Sequence, residues 1–258
     1  FNGAANFLAD KLEEDGVQAT AKTAQIFLGM AVQCTQCHDH PFNEFRQNQF
    51  WELNAFFRQT RVELMPDEQM DRNLARIVDR DFAGQGQQRH WQARGEIVWE
   101  QIDGELVDSG AGGRAAAPVF YELRNGKVKM AYPVFVDGTS LDATYDKSGS
   151  EFGNSGYLEH VNRRQELAKL VLASRELDQA IVNRMWAHFL GHGFTKPIDD
   201  IGPHNTPTPP ELLAALGDAF RAASYDLKQL MRWIVLSEAY GLSSRMTRAN
   251  HQDDPALG

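Results

Sequence analysis

Two cysteines and two histidines crowd into one short stretch of this chain, Gln33-Cys34-Thr35-Gln36-Cys37-His38-Asp39-His40-Pro41. No other cysteine occurs among its 258 residues. The C-x-x-C-H spacing is the attachment pattern of a c-type haem. Thiols three positions apart can each form a thioether to one vinyl group of a single porphyrin, and the imidazole that follows then points at the iron. On this reading Cys34 and Cys37 carry the porphyrin, His38 is the proximal iron ligand, and heme c is the expected cofactor. The same residues allow other chemistry. Cys34 and Cys37 could close a small disulfide, or join His38 and His40 around zinc or copper. Such a metal cluster would be strained, because zinc usually draws its second ligand pair from a distant segment. A redox C-x-x-C belongs before a helix in a βαβ unit, and the pattern shows none.

A second constellation, Asn183-Arg184-Met185-Trp186-Ala187-His188-Phe189, lies far along the chain. Projected as a helix, Leu177, Ile181, Met185 and Phe189 define a buried face with His188 among them and Arg184 at its edge. The plain reading of His188 is a core histidine bonded to backbone. The sharper one makes His188 the distal ligand of the haem iron, with Arg184 neutralising a propionate. His40 is too near His38 to reach the opposite side of the same iron, whereas Met30 and Met185 remain alternatives that would raise the potential. An electron-transfer cytochrome is the expected function; an open sixth position would instead favour a haem enzyme, and cysteines closed as a disulfide a haem-free structural subunit of an envelope complex. Lys196-Pro197-Ile198-Asp199-Asp200 and His204-Asn205 read as a turn and its caps.

Composition bounds the partners. Hydrophobic content of 42% and charged content of 24% suit a globular chain with a real core. A net charge of -9 disfavours nucleic acid and anionic membrane, and favours a redox protein with a basic docking patch or a larger envelope complex. No run reaches the roughly 18 apolar residues of a transmembrane segment. The chain opens at Phe1 without methionine or signal sequence, which reads as a piece of a longer product. Covalent haem attachment takes place outside the cytoplasm, so the motif itself implies a periplasmic, extracellular or cell-envelope location.

The elements that must position these residues are mostly helical. The expected fold class is mainly α, a helical bundle with a small antiparallel β insert. It divides into a helical haem-binding region over 1–94, a β-hairpin insert and flexible link over 95–156, and a helical domain over 157–258. A helix from Ala19 is expected to run on to Cys34, gathering Thr23, Ile26, Phe27, Met30 and Cys34 on one greasy face against the porphyrin. The next helix carries Phe45, Phe50, Trp51, Leu53, Phe56 and Phe57, which suit a core or a haem wall. A polar helix is predicted from Pro66 to Asp79, then a loop at Ala83–Gln88. Asn125-Gly126 signals a two-residue hairpin turn that pairs Leu123 with Val128, Tyr121 with Met130 and Val119 with Tyr132. A weaker hairpin turns at Asp103-Gly104. The Gly- and Ser-rich run from Asp137 to Gly156 reads as flexible. Later helices are marked by Leu167, Leu170 and Val171, by a stop at Gly191, by Thr208-Pro209-Pro210-Glu211 as a capping box, and by Asp226 with Gln229 as a cap.

Taken together, the run from Thr23 through Cys34-Thr35-Gln36-Cys37-His38-Asp39-His40-Pro41-Phe42 to Ala55-Phe56-Phe57 resembles the cytochrome-type domain of unknown function abundant in exported planctomycete proteins. The stretch from Asn183-Arg184-Met185-Trp186-Ala187-His188-Phe189, through Pro197-Ile198-Asp199-Asp200 and Pro209-Pro210-Glu211, to Tyr225-Asp226-Leu227-Lys228 resembles the second domain that usually follows it. The resemblance covers the two ends of the chain and omits the β insert. It implies a secreted or envelope haem protein of unestablished reaction, places Cys34, Cys37 and His38 at haem-attachment positions, and makes His40, Arg184 and His188 typical of the family without roles. It also implies a further helical region upstream, so that haem burial would draw on a preceding segment or a partner chain.

Overall fold

In a computed structural model of the chain, residues 3–12, 14–67, 72–81, 97–101, 119–149, 151, 158 and 161–243 are described. Helices α1 (Gly3–Lys11), α2 (Val17–Leu28) and α3 (Gln47–Asn54) lead into strands β1 (Thr60–Asp67), β2 (Arg72–Asp81) and β3 (Ile97–Gln101). A hairpin of β4 (Val119–Glu122) and β5 (Val128–Ala131) follows. Helices α4 (Arg163–Ala173), α5 (Arg175–Leu190), α6 (Pro210–Ala222), α7 (Leu227–Val235) and α8 (Glu238–Gly241) complete the order. The fold is mainly α with a small antiparallel β element, as the periodicity implies.

One core unites the ends of the chain. Leu8, Ala24 and Leu28 of the first two helices pack with Phe50, Leu53, Phe56 and Phe57, and with Leu167, Val171 and Leu177 of α4 and α5. A second cluster holds Val182, Phe194, Leu213, Phe220, Leu230 and Ile234. The aromatics around α3 are thus core residues. Gln59 staples the seam: its amide donates to the Val161 carbonyl at 3.0 Å and its oxygen accepts from the Arg163 amide at 2.9 Å. The Gly- and Ser-rich run is a series of hydrogen-bonded turns over 137–149. Leu141 is buried there, and the Asp137 and Asp146 carboxylates accept from the amides of Thr139 and Ser148.

Three local expectations are corrected. The second helix stops at Leu28, well short of Cys34, because Gly29 takes a left-handed conformation (φ 65) that only glycine adopts without cost. Its buried stripe is Val17, Thr20, Ala24 and Leu28, so Phe27 turns to the surface and Ile26 is half-buried. The predicted polar helix over Pro66–Asp79 is instead parts of two strands, paired antiparallel with Thr60 opposite Asp79 and Asp67 opposite Arg72. A polar stretch without helical period left that choice to tertiary pairing. The β structure accordingly begins at Thr60, and β3 joins it parallel to β2, Ile77 opposite Ile97. The turn at Asp103-Gly104 and the loop at Ala83–Gln88 lie outside the described residues.

The main hairpin forms one register away from the expected one. Val119 pairs with Ala131, Phe120 with Met130, Tyr121 with Lys129 and Glu122 with Val128. The Gly126 amide donates to the Leu123 carbonyl at 2.9 Å and the Leu123 amide to Lys127 at 2.8 Å. Gly126 has φ 78, which makes the loop three residues long instead of two. A one-residue slip exchanges faces. Val119, Tyr121 and Ala131 are buried, while Phe120, Val128 and Met130 face outward.

In the C-terminal half the local signals hold better. The fifth helix ends at Gly191, and the Asp226 side chain caps α7 by accepting from the amides of Lys228 and Gln229. Pro210 occupies the first turn of α6 as expected, but the N-cap is Pro209 and no side chain caps the helix, so Thr208 does not form a capping box. Among the described residues no helix is long and apolar enough to cross a membrane.

Candidate functional site

Beyond Gly29 the chain enters a 3-10 turn, Gln33–Gln36, that contains the first cysteine. Thr35 is its inward residue: wholly buried, its hydroxyl donates to the Val32 carbonyl at 2.6 Å. Cys34 lies within the turn, and Cys37 caps its end, its amide donating to the Cys34 carbonyl at 3.3 Å. The two sulfurs are not bonded to each other. Cys34 is half-buried and Cys37 is exposed. Burial pushes the Cys34 thiol above its ordinary pKa, and the nearby Asp200 carboxylate raises it further.

The turn is held by its backbone. The Trp51 indole donates to the Gln36 carbonyl at 3.1 Å, and the Gln47 amide reaches the same oxygen at 3.2 Å and the Glu122 carbonyl at 3.0 Å. Asp39 accepts from the Gln47 amide at 2.9 Å, placing a carboxylate at the N-terminus of α3, where the helix dipole favours it. Trp51 stacks on Tyr121 with centroids 5.9 Å apart and 15° between planes. The hairpin thus buttresses the cysteine turn.

The two histidines of the motif are set in opposite tautomers by their hydrogen bonds. His38 Nδ1 lies 2.7 Å from the Asp39 carbonyl. A carbonyl only accepts, so Nδ1 carries the proton and Nε2 keeps a lone pair for an electrophile or metal. His40 Nδ1 instead accepts from the amides of Phe42 at 3.2 Å and Asn43 at 3.1 Å, leaving Nε2 protonated in the neutral ring. Burial is the main force that lowers the His40 pKa; His204 and His38 add to it and Asp200 opposes it.

Residues from the C-terminal half reach this turn through the loop that holds Lys196-Pro197-Ile198-Asp199-Asp200 and His204-Asn205, which is more than a turn and its caps. Asn183 is fully buried and anchors it, accepting from the Phe194 amide at 2.6 Å and donating to Thr195 Oγ1 at 2.8 Å and the Ile198 carbonyl at 2.9 Å. Arg184 donates to the carbonyls of Ile26 at 2.9 Å and Gln25 at 3.2 Å and pairs with Asp199 at 2.6 Å. Those carbonyls are the orphan acceptors at the end of α2. The Ile201 amide then donates to the Gly29 carbonyl at 2.7 Å. The loop so placed sets Asp200 and His204, 3.0 Å apart, beside the motif, with the His204 ring 6.1 Å from that of His40. The signal that could have found them is the run of polar residues immediately after the Asn183-Arg184 pair.

The structure therefore joins Cys34, Cys37, His38 and His40 to Asp200 and His204, and places Arg184 at the helix seam. His188 is elsewhere. It lies exposed on the last turn of α5, edge-on to Phe189, and not on a buried face. Nor do Ile26, Phe27 and Met30 form a greasy wall with the cysteines, since Phe27 turns toward Phe7, their rings 6.2 Å apart. Among the described residues no group of three or more His, Cys, Asp and Glu is disposed to hold a bare metal ion.

Two family models match. Residues 4–62 match PSCyt2, a protein of unknown function (DUF1549), and residues 163–257 match PSD1, a protein of unknown function (DUF1553). Both are planctomycete-type domains of unknown function. The first spans the cysteine turn and the second spans the loop that lies against it. No curated protein and no solved structure matches the chain.

Proposed function

We propose that the protein is a c-type cytochrome, an electron-transfer haem protein of the periplasm or cell envelope. The observation that carries this reading is the state of Cys34, Cys37 and His38: two free thiols, one within a 3-10 turn and the other at its C-cap, followed by an imidazole whose Nδ1 proton is already committed to a carbonyl. That donor set fits covalent haem. Cys34 and Cys37 would hold the porphyrin, His38 Nε2 would face the iron, and the Asp39 carbonyl would fix the ring's tautomer and orientation. The haem would supply one-electron chemistry. Arg184 is committed to the helix seam, which disfavours it as a propionate partner, and His204 is nearer to the motif's imidazoles than the exposed His188.

The surroundings favour a carrier over a closed catalytic pocket. Cys37 is exposed, and Phe42, one residue beyond His40-Pro41, is 82% exposed. An open edge lets a partner dock close to the porphyrin, and the net charge of -9 would draw a partner with a basic patch. Expression alongside a haem-attachment system, followed by intact mass and a pyridine haemochrome spectrum, tests the reading. An added mass of one haem, lost in Cys34→Ser/Cys37→Ser, is expected; a chain that matures with unmodified thiols would end it.

A further inference from the structure

The β4–β5 hairpin turns one face inward and the other to water. On the inner face Val119, Tyr121 and Ala131 are buried with Ala55 and packed by Trp51. On the outer face Phe120 lies directly opposite Met130, and Val128 stands two residues before Met130 on the same side of β5. All three are exposed, Phe120 at 66%, Val128 at 65% and Met130 at 52%. The Tyr132 hydroxyl donates to Met130 Sδ at 3.6 Å, which steadies the most flexible of the three. Single apolar side chains at a surface are ordinary, whereas several gathered on one face mark a contact surface.

The charge around this face is the reverse of the chain's. Between Val119 and Tyr132 stand Arg124, Lys127 and Lys129 against one carboxylate, Glu122, in a chain of net charge -9. Arg124 and Lys127 belong to the turn that ends the outer face, Lys129 alternates to the other face, and all three are exposed. None of them makes an ion pair among the described residues. An apolar patch rimmed by unneutralised cations is complementary to apolar side chains rimmed by carboxylates. An anionic bilayer would meet the same cations, but its wide plane would also meet the field of the acidic remainder; a protein segment can touch the hairpin alone.

We propose that the outer face of this hairpin docks an acidic protein partner, whose apolar side chains cover Phe120, Val128 and Met130 and whose carboxylates lie against Arg124 and Lys127. This partner is opposite in charge to the basic redox protein that the whole chain would draw, and its docking is independent of haem attachment. So small a contact belongs with weak, transient interfaces, with a Kd on the order of 100 μM for a short segment.

A short peptide of alternating glutamate and leucine, titrated into the isotopically labelled 258-residue chain, reads the face by NMR. Saturable shifts are expected at Phe120, Val128 and Met130, with binding weakened about ten-fold as salt rises from about 0.05 to about 0.5 M. Arg124→Glu with Lys127→Glu, at exposed turn positions, should weaken binding about ten-fold or more and turn the preference to a lysine–leucine peptide. Phe120→Ser with Met130→Ser should abolish it, while unchanged Tyr121 and Ala131 signals show that the hairpin is intact. Absence of shifts on the outer face, equal affinity for the lysine–leucine peptide, binding indifferent to the charge reversal, or engagement of phosphatidylserine vesicles by the same residues in place of the peptide would each overturn the proposal.

Discussion

The cysteine turn and the loop that lies against it, Phe194 to Asn205, are built on opposite plans. Around Gln33–Gln36 the fastening falls largely on main-chain acceptors. Trp51 and Gln47 bond the Gln36 carbonyl, and the Thr35 hydroxyl bonds Val32. Cys34, Cys37 and His38 Nε2 are left to do chemistry. In the facing loop side chains do the fastening: Asn183 spends all of its amide, Arg184 spends its guanidinium on Asp199 and two carbonyls, and Asn205 bonds Pro197 and Asp200. A turn held by its backbone can offer its side chains to a ligand. A loop held by side chains can offer only what remains, here Asp200 and His204.

The contrast is easiest to break at Asn183. Asn183→Leu keeps the volume but strands the Phe194 amide and the Ile198 carbonyl, and should cost about 3 kcal/mol in chemical denaturation. A loss under about 1 kcal/mol would mean that the loop is held by something else. At the turn, Trp51→Phe retains the ring against Tyr121 and removes one donor, for about 1 kcal/mol. Cys34→Ser with Cys37→Ser in haem-free protein should stay within about 0.5 kcal/mol, since the thiols hold nothing together. A larger effect would show that the turn also depends on its side chains.

Two finer tests probe how the regions speak to each other. Because its pKa is raised, Cys34 carries less thiolate than an ordinary cysteine at a given pH. In haem-free protein it should be alkylated more slowly than exposed Cys37, and Asp200→Asn should speed it; equal rates at the two thiols, followed by mass spectrometry, would contradict that electrostatic contact. His40 has a folded-state pKa below its unfolded value. Its neutral form therefore contributes stability above the unfolded pKa, near 6.5, which is lost as pH falls through the lower folded value. His40→Asn, which can keep an acceptor near the Phe42 and Asn43 amides, should flatten that part of the stability profile. An NMR titration of His40 at or above 6.5 would refute the shift.

How far the sequence could be read follows the same division. Cys34, Cys37 and His38 declare themselves because the chemistry and the spacing lie in five consecutive residues. The caps at Asp226 and Gly191 were equally local. What escaped was set by distant partners. Asn183, Asp200 and His204 matter because α5 meets the end of α2, contacts of more than 150 residues in sequence, as the Arg184 bonds to Gln25 and Ile26 show. On α5 the stripe of Leu177, Ile181, Met185 and Phe189 does pack against the apolar clusters, but His188 beside it lies exposed on the last turn, where the projection no longer tells which flank of the stripe the neighbouring helices cover. The hairpin slipped by one because Asn125-Gly126 serves a three-residue loop as readily as a two-residue one.

Gly29 gives the assembly a consequence in time. A methyl group there would come within 3.1 Å of Ile201 and 3.3 Å of Ala180 and would sit on a left-handed backbone (φ 65), so the junction is closest-fitting around a bare α-carbon. Ile201 lies 172 positions downstream, and such distant contacts are among the last to form. While the chain is being made, the thiols of Cys34 and Cys37 are born long before the loop that lies against them, so Cys34 passes through an interval in which a thiol-directed reagent reaches it more readily than in the finished fold.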